Sequence, residues 1–323
     1  MKAIFLTNYG PPEVLQVGDL EKPVPKENEV LIKVKAATVN AGDCEIRRFD
    51  MPVLFWLPMR LYMGLFKPRI KILGQELSGI IEAVGKNVKR FNVGDAVYCP
   101  TKMNKGAYVE YVCLPENIPM AVKPNNLSFA QAATIPTGGF NALYFLKKAN
   151  IKAGDKVLIN GAGGCIGTLA VQLAKHYGAE VTAVDRAEKL EMLTSIGADL
   201  VIDFQNKDFT QANERYDVIF DIPNKSGFVG SLGSLEKGGR LLLGNFTMGG
   251  VLFSLFVNFF SNKKIINGIA PYHQDDLNYL NELLQKEVLQ PVVDKGFLLD
   301  ETASAHAYVE TGLKKGNVVI TFE

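Results

Sequence analysis

The residues with the most legible chemistry form one run, Lys156-Val-Leu-Ile-Asn-Gly161-Ala-Gly163-Gly164-Cys165-Ile166-Gly167. An apolar stretch leads into it and an amphipathic stretch leaves it. The glycines therefore sit where a strand turns into a helix, the context of a dinucleotide fingerprint. A register beginning at Gly161 fails, because position 166 is Ile. The working register is Ala162-x-Gly164-x-x-Gly167. There Gly164 lets the backbone approach a pyrophosphate and Gly167 lets helix and strand pack closely. The free N–H groups and positive dipole end of the helix face the phosphates. The expected cofactor turn is thus Ala162, Gly163, Gly164, Cys165, Ile166 and Gly167, against the competing reading of a structural turn without ligand.

Asp185 ends the next apolar run, about 20 residues on, where a ribose-binding acid belongs. Its carboxylate can accept from both ribose hydroxyls of NAD(H) and would repel a 2′-phosphate. Arg186 and Lys189 follow, two cations able to hold that phosphate in NADP(H). Both cofactors stay open on this loop, as does a solvated Asp185–Arg186 pair capping a helix.

Two kinds of chain grammar surround these residues. Residues 1 to about 120 read as β, with Glu29–Lys35 alternating as a half-buried strand does and Ile80–Val84 and Ala107–Val112 as further strands. From about 127, helix and strand alternate. Helical character over Ser128–Lys148 is expected to break at Pro136 and Gly138-Gly139. Strands are expected at Lys156–Asn160, Glu180–Val184, Leu200–Asp203, Asp217–Ile222 and Arg240–Gly244. Helices of about ten residues between them imply βαβ units and a parallel sheet. After Pro271 come a helix at Asp275–Lys286 and a last strand at Asn317–Phe322.

Composition bounds the function. At 323 residues, two domains are expected. With 35 basic and 34 acidic residues the charge is +1, which argues against nucleic acid as partner. The four cysteines show no CxxC and read as reduced thiols, so a cytoplasmic home is expected. The opening MKAIFLTNYGPPE has too short an apolar run for a signal peptide. Val251–Phe260, interrupted by Ser254 and Asn258, falls short of the ~20 residues a spanning helix needs, so no membrane insertion is expected.

The whole chain resembles the medium-chain dehydrogenase/reductase superfamily, and within it the zinc-independent quinone oxidoreductase (zeta-crystallin-like) branch. The segments that carry the resemblance are MKAIFLTNYGPPEVLQV, EVLIKVKAATVNAGD at 29–43, ILGQELSGIIEAVG at 72–85, FNVGDAVY at 91–98, GAYVEYVCLPE at 106–116, the glycine turn, SIGADLVID at 195–203 and GNVVITFE at 316–323. It implies an α/β chain in which a GroES-like β-barrel catalytic domain (1–122, resumed at 270–323) carries an inserted Rossmann domain with a doubly wound parallel sheet (123–269). The active site would lie in the cleft, and homodimers would pair through an edge strand, for which Lys263–Ile269 is a candidate.

The resemblance also distributes roles. In zinc-dependent relatives a Cys stands at the position of Asp43, a His at Gln75 and a further Cys near Thr137. Gln and Thr are weak zinc ligands, so no metal is expected here. Hydride transfer to a simple ketone needs a Lewis acid or strong proton donor. Transfer to a quinone or enone leaves a delocalised anion that a hydrogen bond can satisfy. The expected activity is therefore NAD(P)H-dependent reduction of a small hydrophobic conjugated carbonyl. The alternatives are oxidation of a bulky apolar alcohol and a non-catalytic, structural or sensory, cofactor-binding role. Asn40 would lie near nicotinamide and substrate, with Asp43 and Thr137 beside it as catalytic candidates. A Tyr that some relatives carry two residues after the Asp is Glu45 here. Gly244 and Asn245 would line the cofactor, Lys315, Gly316 and Asn317 would close over it, and Phe204 would face the adenine. Two apolar segments, Pro52–Phe66 with Trp56 and Val251–Phe260 with Phe253 and Phe256, read equally as substrate pocket or lid and as core or dimer interface.

Overall fold

The computed structural model describes residues 1–50, 53–101, 105–245 and 248–322. By internal contacts the chain forms two compact units: Met1–Thr137 with His273–Gln285 and Val292–Glu323, and Gly138–Tyr272 with Lys286–Pro291. The first crossover thus falls at 137 rather than at the expected 122. The segment after 122, including the helix Phe129–Ala133, packs on the strands Glu29–Val39 and Glu76–Val84.

The first unit is built on a seven-stranded sheet. Its path runs Val293–Leu298, Asn317–Thr321, Glu29–Val39, Glu76–Val84, Ala96–Pro100 and Ala121–Val122, and Tyr111–Pro115 pairs with Glu29–Val39. Glu29–Val39 pairs with three strands, which explains why more of it is buried than period-two alternation predicts. The strand expected at Ala107–Val112 begins later, at Tyr111, because Ala107 N–H and Tyr108 N–H instead donate to Gly74 O and Leu73 O, and Tyr108 O accepts from Ile4 N–H of the chain's first strand. Ile32, Val34, Leu77, Ile81, Val97 and Val318 form the centre of its core.

The second unit holds a six-stranded, wholly parallel sheet in the order Leu200–Asp203, Glu180–Asp185, Lys156–Asn160, Tyr216–Asp221, Leu235–Leu243, Lys264–Asn267. In chain order this is 3-2-1-4-5-6, the doubly wound dinucleotide-binding arrangement, with its reversal between Lys156–Asn160 and Tyr216–Asp221. The core strands read as near-continuous apolar runs, as parallel strands do. Helix Ile135–Ala149 is not broken where expected. The break falls two residues before Pro136, at Thr134, and Pro136 sits in the first turn, where its missing N–H costs nothing. Gly138 lets that helix approach the Cys165 backbone; a Cβ there would stand 2.6 Å from the Cys165 carbonyl. Both apolar segments are helical, Val53–Met63 and Met248–Phe260, with Pro52 outside the described residues. Among the described residues no helix is long and apolar enough to cross a membrane.

Candidate active site

Strand Lys156–Asn160 ends on Asn160, and the chain turns at Gly161 with φ +78°, a conformation that favours glycine. The N–H groups of Gly161 and Ala162 both bond Val184 O, which ties the turn to the neighbouring strand. Helix Cys165–His176 follows, with Gly164 as a cap that offers no side chain. No side chain therefore caps this positive helix end, the kind of terminus that receives phosphate. The glycines hold different positions. At Gly167 a Cβ would stand 2.4 Å from Ala162 O and 2.5 Å from Gly161 O, all backbone. At Gly164 it would meet nothing nearer than Gly161 O at 3.6 Å. Gly167 closes the helix onto the turn, and Gly164 leaves room beside the helix N-terminus. That room, at a helix N-terminus with no side-chain cap, fits a dinucleotide pyrophosphate.

Asp185 is not the solvated pair with the Arg186 side chain that the competing reading expected. Its carboxylate is buried, accepts from Gly163 N–H (2.7 Å) and Arg186 N–H (2.8 Å), and pairs with Lys189 Nζ at 3.1 Å. Asp185 thus holds the glycine turn in place, and Lys189 meets its charge. Arg186, half-buried, has no side-chain partner among the described residues. Phe204, half-exposed, follows the third strand, and its N–H bonds Asp185 O (3.2 Å). Gly244 passes so close to Ile222 that a Cβ would lie 2.8 Å from its Cα. Exposed Asn245 bonds Pro223 O at 3.4 Å.

One pair escaped the sequence reading. Asn160 Nδ2 donates to Asp221 Oδ1 (2.9 Å), joining the ends of the two strands at the order reversal, and Asp221 Oδ2 accepts from Ser226 N–H (3.0 Å) and the Ser226 hydroxyl. The signal was present: KVLIN and DVIFD are apolar runs that each close on a polar residue.

The first unit carries a buried polar cluster. Asn40 caps helix Ala41–Arg48 in a capping box: its Oδ1 accepts from Asp43 N–H (3.3 Å), and Asp43 Oδ2 accepts from Asn40 N–H (3.2 Å). Asp43 Oδ1 accepts from Gly74 N–H (3.2 Å), and Gln75 Nε2 donates to Asn40 Oδ1 (3.2 Å). Glu76 accepts from the Thr38 hydroxyl (2.5 Å) and from Thr137 N–H (2.7 Å). Burial pushes both carboxyls up to about 7, against the hydrogen bonds that favour their ionised forms. Tyr108 O–H reaches Thr38 O (3.2 Å) and the His306 ring (3.2 Å), whose Nδ1 faces Cys44 Sγ at 3.4 Å. Burial, helped by Arg47, pushes His306 down to about 3, so the ring is neutral. The structure thus gathers Asn40, Asp43 and Thr137 with Gln75 and Glu76. Among the described residues, Asn40 Nδ2 is buried without a partner.

The remaining candidates are dispersed. Asn317 N–H and Nδ2 both donate to Val292 O (3.0 Å each), Gly316 has φ +72° beside that carbonyl, and Lys315 N–H bonds Asp294. Trp56 packs edge-on against Phe49 (5.8 Å) beneath the Arg60 guanidinium (5.6 Å) in the first unit. In the second, Phe253 stacks on Phe228 (5.0 Å) against the core, whereas Phe256 is exposed.

The chain matches an alcohol dehydrogenase GroES-like domain over residues 26–124 and a zinc-binding dehydrogenase model over 196–320. It is 33% identical to the 2-methylene-furan-3-one reductase of Solanum lycopersicum, over 99% of this chain and 79% of that protein. It is likewise 33% identical to the chloroplastic NADPH-dependent alkenal/one oxidoreductase of Arabidopsis thaliana, over the same shares of each. The solved quinone oxidoreductase of Coxiella burnetii superposes with a TM-score of 0.88 at 29% identity, covering 100% of this chain and 99% of that one. The chain belongs to the medium-chain dehydrogenase/reductases, in their quinone oxidoreductase branch.

The zinc in one of those family descriptions can be tested on this member of the superfamily. A catalytic zinc needs three Cys, His, Asp or Glu ligands gathered around one point, with an open position. Here the Asp43 oxygens serve Asn40 and Gly74, and the Glu76 oxygens serve Thr38 and Thr137. Gln75 directs its amide hydrogens, not its oxygen, toward Asn40. Among the described residues no three His, Cys, Asp or Glu side chains gather to hold a metal. This donor set does not fit zinc.

Proposed function

We propose that this medium-chain dehydrogenase/reductase uses NADPH to reduce a small conjugated carbonyl, an enone or a quinone, without a metal. The observation that carries the reading is Asn40 Nδ2, a buried donor with no partner among the described residues, in a cluster whose carboxylates are already committed to protein donors. Bound NADPH supplies the hydride. The N-terminal N–H groups of helix Cys165–His176 hold its pyrophosphate, and the open Cα face of Gly164 admits it. Arg186 meets the 2′-phosphate, which Asp185 does not repel because Lys189 already neutralises it. Hydride delivered to the β-carbon of an enone would move the conjugated electron pair onto the carbonyl oxygen, where Asn40 Nδ2 would stabilise it by hydrogen bonding, and the enolate would then take its proton at the α-carbon from solvent water. Because that charge is delocalised over the conjugated system, one hydrogen bond replaces the Lewis acid an alkoxide would demand. Thr137 N–H and the Thr38 hydroxyl fix Glu76 beside this group.

A cytosolic home and a homodimer belong to the same reading. Among the described residues the four cysteines form no disulfide, and strand Lys264–Asn267 lies at the edge of its sheet with one partner strand. Turnover should be measured with NADPH on a panel of enones and quinones, and with NADP+ on bulky apolar alcohols. Enone or quinone reduction should exceed alcohol oxidation by at least about 100-fold in kcat/KM, ~2.7 kcal/mol. Preference for alcohols would overturn the assignment.

A further inference from the structure

Gly42 has no conformational reason to be glycine, since it lies in the first turn of an ordinary helix and its φ is not positive. Its reason is space. A Cβ at position 42 would stand 2.6 Å from Gln75 Nε2 and 3.4 Å from Asn40 Oδ1. The missing side chain leaves the gap through which Gln75 reaches Asn40. Gln75 spends its amide hydrogens there: Nε2 donates to Asn40 Oδ1 at 3.2 Å, and the same side chain hydrogen-bonds the Asp43 carboxyl.

The capping bond removes any ambiguity in the Asn40 amide. Asp43 N–H is a backbone donor and must face an acceptor, so the atom opposite it is Oδ1. A second donor, Gln75 Nε2, converges on the same oxygen. Flipping Asn40 would set its NH2 against two donors at once, and a buried clash of that kind costs both hydrogen bonds. Asn40 is therefore locked with Nδ2 turned away from the cap, the one orientation in which it can donate to a ligand.

We infer that Gln75, through the gap kept by Gly42, is a positioning residue: it holds the Asn40 carboxamide so that Nδ2 donates to the carbonyl oxygen of the substrate. The inference rests on the proposed role of Asn40 and adds a requirement to it. An amide at position 75 does what neither a carboxylate nor an apolar side chain can do, because the two groups it faces, Asn40 Oδ1 and the Asp43 carboxyl, are both acceptors.

The test uses the full-length enzyme with NADPH and an enone, and four variants: Asn40→Ala, Gln75→Met, Gly42→Ala and Gln75→Glu. Gln75→Met keeps the volume and removes the donor. It should lower kcat about tenfold, the worth of one buried hydrogen bond, while NADPH affinity, read by fluorescence, stays near wild type and Tm falls by only about 2–4 °C. Gly42→Ala should match it, and the double variant should be no worse than either single one, since both break the same contact. Gln75→Glu should be poor when its carboxyl is ionised and recover as pH falls, a profile that loss of packing does not produce. If Asn40→Ala lowers kcat but Gln75→Met leaves it within twofold, the positioning role is wrong while the site stands. If Asn40→Ala itself leaves kcat unchanged, the reading of the site falls and this inference with it. Additive losses in the Gly42/Gln75 double variant would likewise overturn the shared contact.

Discussion

The glycine turn offers a sharp comparison, because two glycines three residues apart should fail in opposite ways. In Gly167→Ala the new methyl would stand 2.4 Å from Ala162 O and 2.5 Å from both Ala162 Cα and Gly161 O. Ordinary carbon–oxygen contact begins almost an ångström farther out, and backbone cannot swing aside as a side chain can. The helix and the turn must separate, an overpacking strain of about 2–3 kcal/mol. For a domain of this size that lowers Tm by roughly 5–10 °C. In Gly164→Val the Cβ meets only Gly161 O at 3.6 Å, and the extended backbone there (φ −93°, ψ −179°) suits any residue. Tm should move by no more than about 2 °C, the size of a neutral surface change. The added side chain instead fills the room at the helix N-terminus, so NADPH affinity should fall at least about 100-fold, ~2.7 kcal/mol. Differential scanning fluorimetry reads the first quantity and NADPH fluorescence titration the second. A Gly164→Val protein that binds NADPH as wild type does would show that the phosphates do not lie at this helix N-terminus. A Gly167→Ala protein with unchanged Tm would show that the helix–turn contact is softer than its geometry states.

Arg186→Ala should lower the NADPH/NADH ratio of kcat/KM about tenfold, by loss of one charge-assisted contact; an unmoved ratio would remove Arg186 from the 2′ site. Asp185→Ser should not simply shift that ratio toward NADPH. It strips Gly163 N–H and Lys189 of a buried partner, so it should lower Tm and weaken both cofactors together, as two parallel titrations would reveal. Burial raises Asp43 from 3.8 and Glu76 from 4.5 to about 7, so between about pH 4 and 7 the folded chain keeps protons that the unfolded chain releases. Their contribution is full below pH 4 and declines up to about pH 7; the Tm gain of Glu76→Gln over wild type should accordingly be larger at pH 8 than at pH 5, and an equal gain at both would contradict it. Dialysis against a chelator should leave kcat unchanged, whereas loss of activity restored by zinc would refute the metal-free reading.

Much of the second unit was legible before any coordinates. Lys156–Asn160 and Leu200–Asp203 fall where apolar runs end at turn residues, and the strand–glycine–helix junction has few alternatives. What escaped were features made by partners distant in sequence. Asp185 carries the right residue type for a ribose contact, but only the folded loop shows Lys189 and Gly163 holding it inward. Helix Ala41–Arg48 is short and polar, so no apolar period announced it, although Asn40 and Asp43 have capping-box spacing. The helices Val53–Met63 and Met248–Phe260 are apolar on nearly every face and so showed no 3.6-residue contrast. Glu76 and Gln75 were recognised by position alone; the donors to Glu76 come from residues 38 and 137 and the acceptor for Gln75 from residue 40, which only the fold brings together.

The cysteines of the first unit acquire a meaning from the chemistry proposed beside them. Enones and quinones are Michael acceptors, and what they alkylate is thiolate. Cys44, next to Asp43, is buried with its thiol pushed up to about 12, first by burial and then by the Asp43 charge; burial raises Cys99 and Cys113 as well. At pH 7 Cys44 is therefore held as the thiol. The His306 ring that faces it is a poor base, because burial disfavours the imidazolium that taking the thiol proton would create. A nucleophile thus stands within the polar cluster yet is chemically silent, and the enzyme can work among electrophiles without being poisoned at that position.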